Sequence, residues 1–228
     1  MLLEKLFAIL AASTTLLTSS MNVAIPDNNI NGNLMLVNNQ RMISKAYIPE
    51  VRKVAVYGMS QSMREEAAIA LEALFEQASK EGIMLSSVSG YRSYTSQNTI
   101  YSRKVDSYGQ KHADLYSAKP GTSEHQLGLV MDVSKKESSS LHPSFADTPQ
   151  GIWIAENAHE FGFIIRYLKG YEEVTGIQYE PWHLRYVGNP YATAIYTSKL
   201  PMELFFNDYR LQIYEYLINT NTILNEVT

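Results

Sequence analysis

"PGTSEHQLGLVMDV", residues 120–133, is the stretch whose reading decides the fold. The chain has five histidines in 228 residues, and one of them, His125, stands seven positions before Asp132 with Gly128 between the two. "HQLGLVMDV" reads as a strand with Asp132 near its end. Histidine and carboxylate are both good zinc ligands, but on extended chain residues 125 and 132 converge on one ion only through a bend, which Gly128 can supply. Taken alone, the pair is a weak signal and reads first as a capping histidine and a surface aspartate.

Working outward, the most secure element on the N-terminal side is a helix in "SMREEAAIALEALFEQASKEG". Ser62 and Glu65 have the spacing of a capping box, Ala67, Leu71, Leu74 and Ala78 repeat at helical period, and Gly82 ends the run. Ile83 to Val88 then reads as a strand that breaks at Gly90, and a second helix is expected from Thr95 to Gly109, followed by a polar loop to Gly121. On the C-terminal side, Thr148 and Pro149 open a helix that Gly162 closes. "FIIRY" (163–167) and "YEPWHLRYV" (179–187) read as short strands separated by the turn-rich "LKGYEEVTG". Asn189 and Pro190 cap a last short helix. Helices grouped around short, hairpin-like strands predict an α+β fold with a small, mainly antiparallel sheet flanked by helices.

The ends of the chain differ from this body. Leu6 to Leu17 is mostly apolar and is followed by Thr18, Ser19 and Ser20, so residues 1–20 read as an export signal or N-terminal anchor. An amphipathic core helix is the alternative. Residues 21–33 read as an Asn-rich linker, 34–200 as one globular domain, and 201–228 as an amphipathic tail. With 45% hydrophobic and 18% charged residues the chain is that of an ordinary globular protein. The net charge of -4 offers no basic face for nucleic acid, and the lack of Cys excludes disulfides, thiolate metal sites and Cys nucleophiles. Oligomeric state leaves no mark in the sequence.

Two further segments bear on the chemistry of the opening stretch. In "YEPWHLRYVG" (179–188), Glu180 and His183 lie three apart. A catalytic zinc takes three protein ligands, keeps an open position for water, and works with a nearby base. His125, Asp132 and His183 would be the ligands and Glu180 the base; the plain alternatives are a solvated strand-end charge and a core histidine. In "GYRSYTSQ" (90–97), Arg92 follows a strand end, where a guanidinium can grip a carboxylate or polarise a carbonyl, or simply be a surface arginine in a turn. His112 and His142 read as loop residues, and His159 as a helical residue near a C-terminus.

Together "GYRSYTSQ", "PGTSEHQLGLVMDV" and "YEPWHLRYVG" resemble, in order and spacing, the zinc D,D-carboxypeptidases of the VanY type. That family sits in a larger group with lysostaphin-like peptidases and hedgehog domains. The resemblance runs from about Leu34 to Gly188. It implies a hedgehog/D-Ala-D-Ala peptidase-like fold and a zinc cofactor (Zn2+) held by His125, Asp132 and His183. Glu180 would be the catalytic base and Arg92 a second catalytic residue, with Gln97, Ser123, Tyr167 and Trp182 in the substrate site. The substrate it implies is the peptidoglycan stem peptide, cleaved outside the cytoplasm, at the cell wall or the outer membrane face, by a protein exported or attached through its N-terminal segment. The chain departs from the family pattern at Val130, where Ala is usual, and at Leu168, where Pro usually follows Arg-Tyr. Two rivals stay open: an L,D-carboxypeptidase or wall endopeptidase with the same zinc site, and a zinc-bearing wall-binding module without catalysis.

Overall fold

The computed structural model describes residues 32–207. The expected export segment, the linker as far as residue 31 and the tail beyond residue 207 lie outside the described residues. Residues Val37–Pro201 form one compact unit. In the other unit, residues 202–207 are helical. No described helix is long and apolar enough to cross a membrane.

The compact unit begins with a two-stranded hairpin of β1 (Arg52–Lys53) and β2 (Ser62–Met63). Helix α1 (Glu65–Lys80) follows and buries Ala67, Ala68, Leu71, Leu74, Phe75 and Ala78 on one face. The expected capping box at its start is not formed. Ser62 belongs to β2, where it pairs with Lys53 and its carbonyl accepts the amide of Tyr91, so its side chain is out of position for a cap. Arg64 is the N-cap without a side-chain hydrogen bond, and Glu65 and Glu66 instead place negative charge at the positive end of the helix.

The main sheet is antiparallel throughout, with strands β3 (Leu85–Ser89), β4 (Val130–Lys135), β5 (Phe163–Tyr167) and β6 (Glu180–Tyr186) in the order β3-β4-β6-β5. Helix α2 (Tyr94–Tyr108) is capped by the Ser93 hydroxyl, which accepts the Ser96 amide, and α3 (Gln110–Tyr116) occupies what the sequence presents as a polar loop. His112 is therefore helical, not in a loop. Thr148 caps α4 (Pro149–Asn157) as expected, and the same run closes in a 3-10 turn, Ala158–Phe161. Short α5 (Glu172–Thr175) and α6 (Tyr191–Ser198) complete the unit. The outcome is the small antiparallel sheet with flanking helices that the pattern predicts.

The opening stretch divides in two. Glu124–Leu127 is a 3-10 turn, not the first half of a strand, and Gly128 ends it in the left-handed region at φ 71°. A side chain there would be strained, and its Cβ would sit 2.9 Å from Val51 Cγ1. The chain then enters β4, whose first five residues are all buried, the pattern of a central strand covered on both faces.

Candidate metal centre and active site

The turn and the sheet together build the site. Asp132 on β4 and His183 on β6 are direct cross-strand partners, so their side chains leave the same face of the sheet as neighbours. His125 reaches the same point from the 3-10 turn one connection earlier. The three side chains are buried, and one ligand atom from each lies within 4.8 Å of the others. His125 Nε2 is 3.4 Å from Asp132 Oδ2, and His183 Nδ1 is 3.1 Å from Asp132 Oδ1.

The donors fit a zinc ion. Bonds of about 2.0 Å in a tetrahedron separate neighbouring ligand atoms by roughly 3.3 Å, and each histidine already has a ring nitrogen within 3.4 Å of an Asp132 carboxylate oxygen. Asp132 Oδ1, although beside His183, makes no hydrogen bond within the described residues, as expected of an atom aimed at a shared centre. One carboxylate and two imidazoles, without thiolate, would suit the three-ligand set of a catalytic rather than a structural zinc.

Burial and neighbouring charges set the protonation of the group. Burial pushes His125 down to about 4, and the Arg92 charge pushes it the same way. Burial also opposes charge on His183, but the adjacent carboxylates of Asp132, Glu124 and Glu180 prevail and raise it to about 9. Asp132 loses solvation too, yet His125 and His183 hold its carboxyl well below the usual range.

Glu180 starts β6 opposite Tyr167, with Oε2 3.5 Å from His183 Nδ1. Burial raises it to about 7, helped by Asp132 and opposed by the charges of His183, Arg92 and Lys104. A carboxyl with that pKa at the edge of the donor group is suited to accept a proton near neutral pH.

Arg92 is not a surface residue. It is half-buried, lost solvation lowers its pKa, and its Nη1 donates to Gln97 Oε1 at 2.9 Å while Gln97 Nε2 donates to the Ala118 carbonyl. Its amide donates to the His125 carbonyl, so Arg92 and the ligand turn are tied by backbone. Arg92, Gln97, Ser123, Tyr167 and Trp182 all line the same cleft of about 580 Å³ as the three donors and Glu180. The Tyr167 ring stacks obliquely 4.8 Å from that of His183, with Leu168 following it. Val130 is fully buried at the start of β4.

Three cleft or near-cleft residues escape a reading of the sequence. Lys104 lines the cleft and donates to the Tyr116 carbonyl. His142 stands at the rim, its Nδ1 accepting the Ser144 amide, and outside the metal group. Glu124 is fully buried beneath the ligands, its Oε1 accepting Arg166 Nε at 2.8 Å and Arg185 Nη1 at 2.6 Å. The signal for Glu124 is indirect: arginines at inward positions of two apolar strands need a buried carboxylate. His159 stacks on Tyr196 away from the cleft.

Comparison with known proteins agrees with this geometry. Residues 60–189 match the family model described as VanY, D-alanyl-D-alanine carboxypeptidase. A D-alanyl-D-alanine carboxypeptidase of Enterococcus faecalis is 36% identical over 185 residues, covering 76% of this chain and 65% of that protein. The chain spans about half to two thirds of the length of such curated relatives. Among solved structures, the LdcB LD-carboxypeptidase superposes with a TM-score of 0.75 at 40% identity, covering 79% of this chain and 88% of LdcB. A mutant of the D,D-pentapeptidase VanY from a VanB-type resistance cassette, in complex with Zn(II), superposes with a TM-score of 0.67 at 34% identity, covering 76% and 98%. With its buried His-Asp-His group inside the matched region, the chain belongs to the VanY family of D-alanyl-D-alanine carboxypeptidases.

Proposed function

We propose that the protein is a zinc carboxypeptidase that removes the terminal D-Ala from peptidoglycan stem peptides ending in D-Ala-D-Ala, and that it acts outside the cytoplasm. The observation that carries this reading is the convergence of His125, Asp132 and His183 in one cleft with Glu180 raised to about 7. Those three side chains would hold the metal. When bound, zinc supplies a Lewis acid for a carbonyl and acidifies water toward neutral pH. Glu180 accepts a proton at its carboxylate and returns it to the leaving amine. Arg92, pre-set by Gln97, places a fixed positive charge in the cleft for a carboxylate or a developing oxyanion. Tyr167, Trp182 and Ser123 shape the wall against which the substrate lies.

A second reading has a specific observation behind it. LdcB, an LD-carboxypeptidase, is more similar to this chain than the zinc-bound VanY mutant is, at 40% against 34% identity. L,D-cleavage would use the same donors and base and differ in how the cleft receives the residue before the scissile bond. Incubation with pentapeptide and tetrapeptide stems, with and without a chelator, tests both. Chelator-sensitive D-Ala release from the pentapeptide is expected. Release from the tetrapeptide alone would favour the L,D reading, and binding without release from either would favour a wall-binding module.

A further inference from the structure

Beneath the metal group, two buried polar atoms face each other without hydrogen-bond partners among the described residues: Glu124 Oε2 and His183 Nε2, 3.8 Å apart. Glu124 has its other oxygen, Oε1, against both Arg166 and Arg185. A carboxylate that only balanced two guanidiniums would gain most by offering an oxygen to each. This one meets both with Oε1 and turns Oε2 toward the ligand histidine. A shift of about 1 Å brings that pair within hydrogen-bond distance.

The other histidine already shows the same device. His125 Nδ1 lies 2.7 Å from the Gly90 carbonyl, which as an acceptor requires the proton on Nδ1 and leaves Nε2 to face Asp132. Gly90 itself has no room for a side chain, since a Cβ there would stand 2.6 Å from the Ser62 carbonyl oxygen. His183 is turned the other way, with Nδ1 toward Asp132 and Nε2 toward Glu124. Each imidazole thus has one nitrogen at the donor group and the other against an acceptor.

We propose that Glu124 is a positioning residue for the metal: its Oε2 accepts the Nε2 proton of His183, fixing the tautomer that presents Nδ1, while Arg166 and Arg185 anchor the carboxylate from behind. This rests on the zinc reading above. Outer partners of ligand histidines are worth about 10-fold to 100-fold in metal affinity.

The test compares zinc affinity, by competition with a chromogenic chelator, in wild type, Glu124→Gln and the double variant Glu124→Gln/Arg185→Met. Gln lowers the negative charge beneath the site by one, and Met removes one guanidinium, so the double variant restores the charge balance. Both variants are expected to bind zinc about 10-fold to 100-fold more weakly than wild type, with the double variant regaining thermal stability but not affinity. Should Glu124→Gln fail to fold, the double variant carries the comparison. A double variant binding zinc within about twofold of wild type would reduce Glu124 to a charge balance for the arginines. Nitrogen-15 NMR of the zinc-loaded wild type gives a check without substitution: His183 should show a protonated Nε2 and a metal-bound Nδ1, and the reverse pattern overturns the proposal. If wild type itself takes up no zinc, the metal reading falls and the positioning role with it. If wild type binds and the double variant matches it, the positioning role alone falls.

Discussion

Glu180 and His183 are three residues apart, yet their burial has opposite results. Glu180 is pushed up to about 7 by lost solvation, whereas His183 is drawn up to about 9 because surrounding carboxylates outweigh that same loss. Glu180→Gln keeps size and shape but removes the proton acceptor. The variant should retain wild-type zinc content while D-Ala release slows by about 100-fold to 10,000-fold. Loss of zinc from it would instead make Glu180 a ligand. His183 leads to a second expectation. Near pH 7.5 the metal-free ring carries a proton that zinc must displace, whereas His125, pushed down to about 4, is already neutral. Zinc binding should therefore release about one proton, and apparent affinity should climb about tenfold per pH unit until roughly pH 9. Calorimetry in two buffers of different ionisation heat measures the proton. Arg92→Lys retains charge but loses the planar fork that meets Gln97, and kcat/KM should fall by more than about tenfold.

At the scale of elements, the decisive piece is the 3-10 turn between Ser123 and Gly128, because it carries His125 back toward the sheet. Gly128→Ala puts a side chain at φ 71° and against Val51 and Arg64. A loss of about 1–2 kcal/mol from backbone strain alone is expected in urea unfolding of the metal-free protein, with zinc affinity lowered as His125 shifts. The main sheet and helices α1, α2, α4 and α6 were legible in the sequence, because period-2 and helical apolar patterns are local properties, whereas the four-residue α5 lies in what the sequence presents as a turn-rich segment. Gly128 as the bend between His125 and Asp132 was legible for the same reason. Ser62 was misread because its pairing with Lys53 is set by a hairpin that only two residues per strand define. Helix α3 was missed because its residues, Gln110–Tyr116, bury only Ala113 and leave almost no apolar stripe. Glu124 was missed because its partners, Arg166 and Arg185, are 42 and 61 residues away.

For the whole molecule, the donors come from a turn and two strands distant in sequence, so the site exists only when the sheet is assembled. Zinc bound to such a site stabilises the folded chain by mass action, at about 2.7 kcal/mol when its free concentration is a hundred times Kd. Thermal unfolding should accordingly move up by roughly 5–11 °C between chelated and zinc-saturated protein. Triple replacement of His125, Asp132 and His183 should abolish that difference. Most direct is a titration of zinc into metal-free protein with D-Ala release from a D-Ala-D-Ala-ended stem peptide followed at each addition. Activity should rise from near zero and level off at one zinc per chain. Hydrolysis by the metal-free protein at the fully loaded rate would contradict the account at its centre.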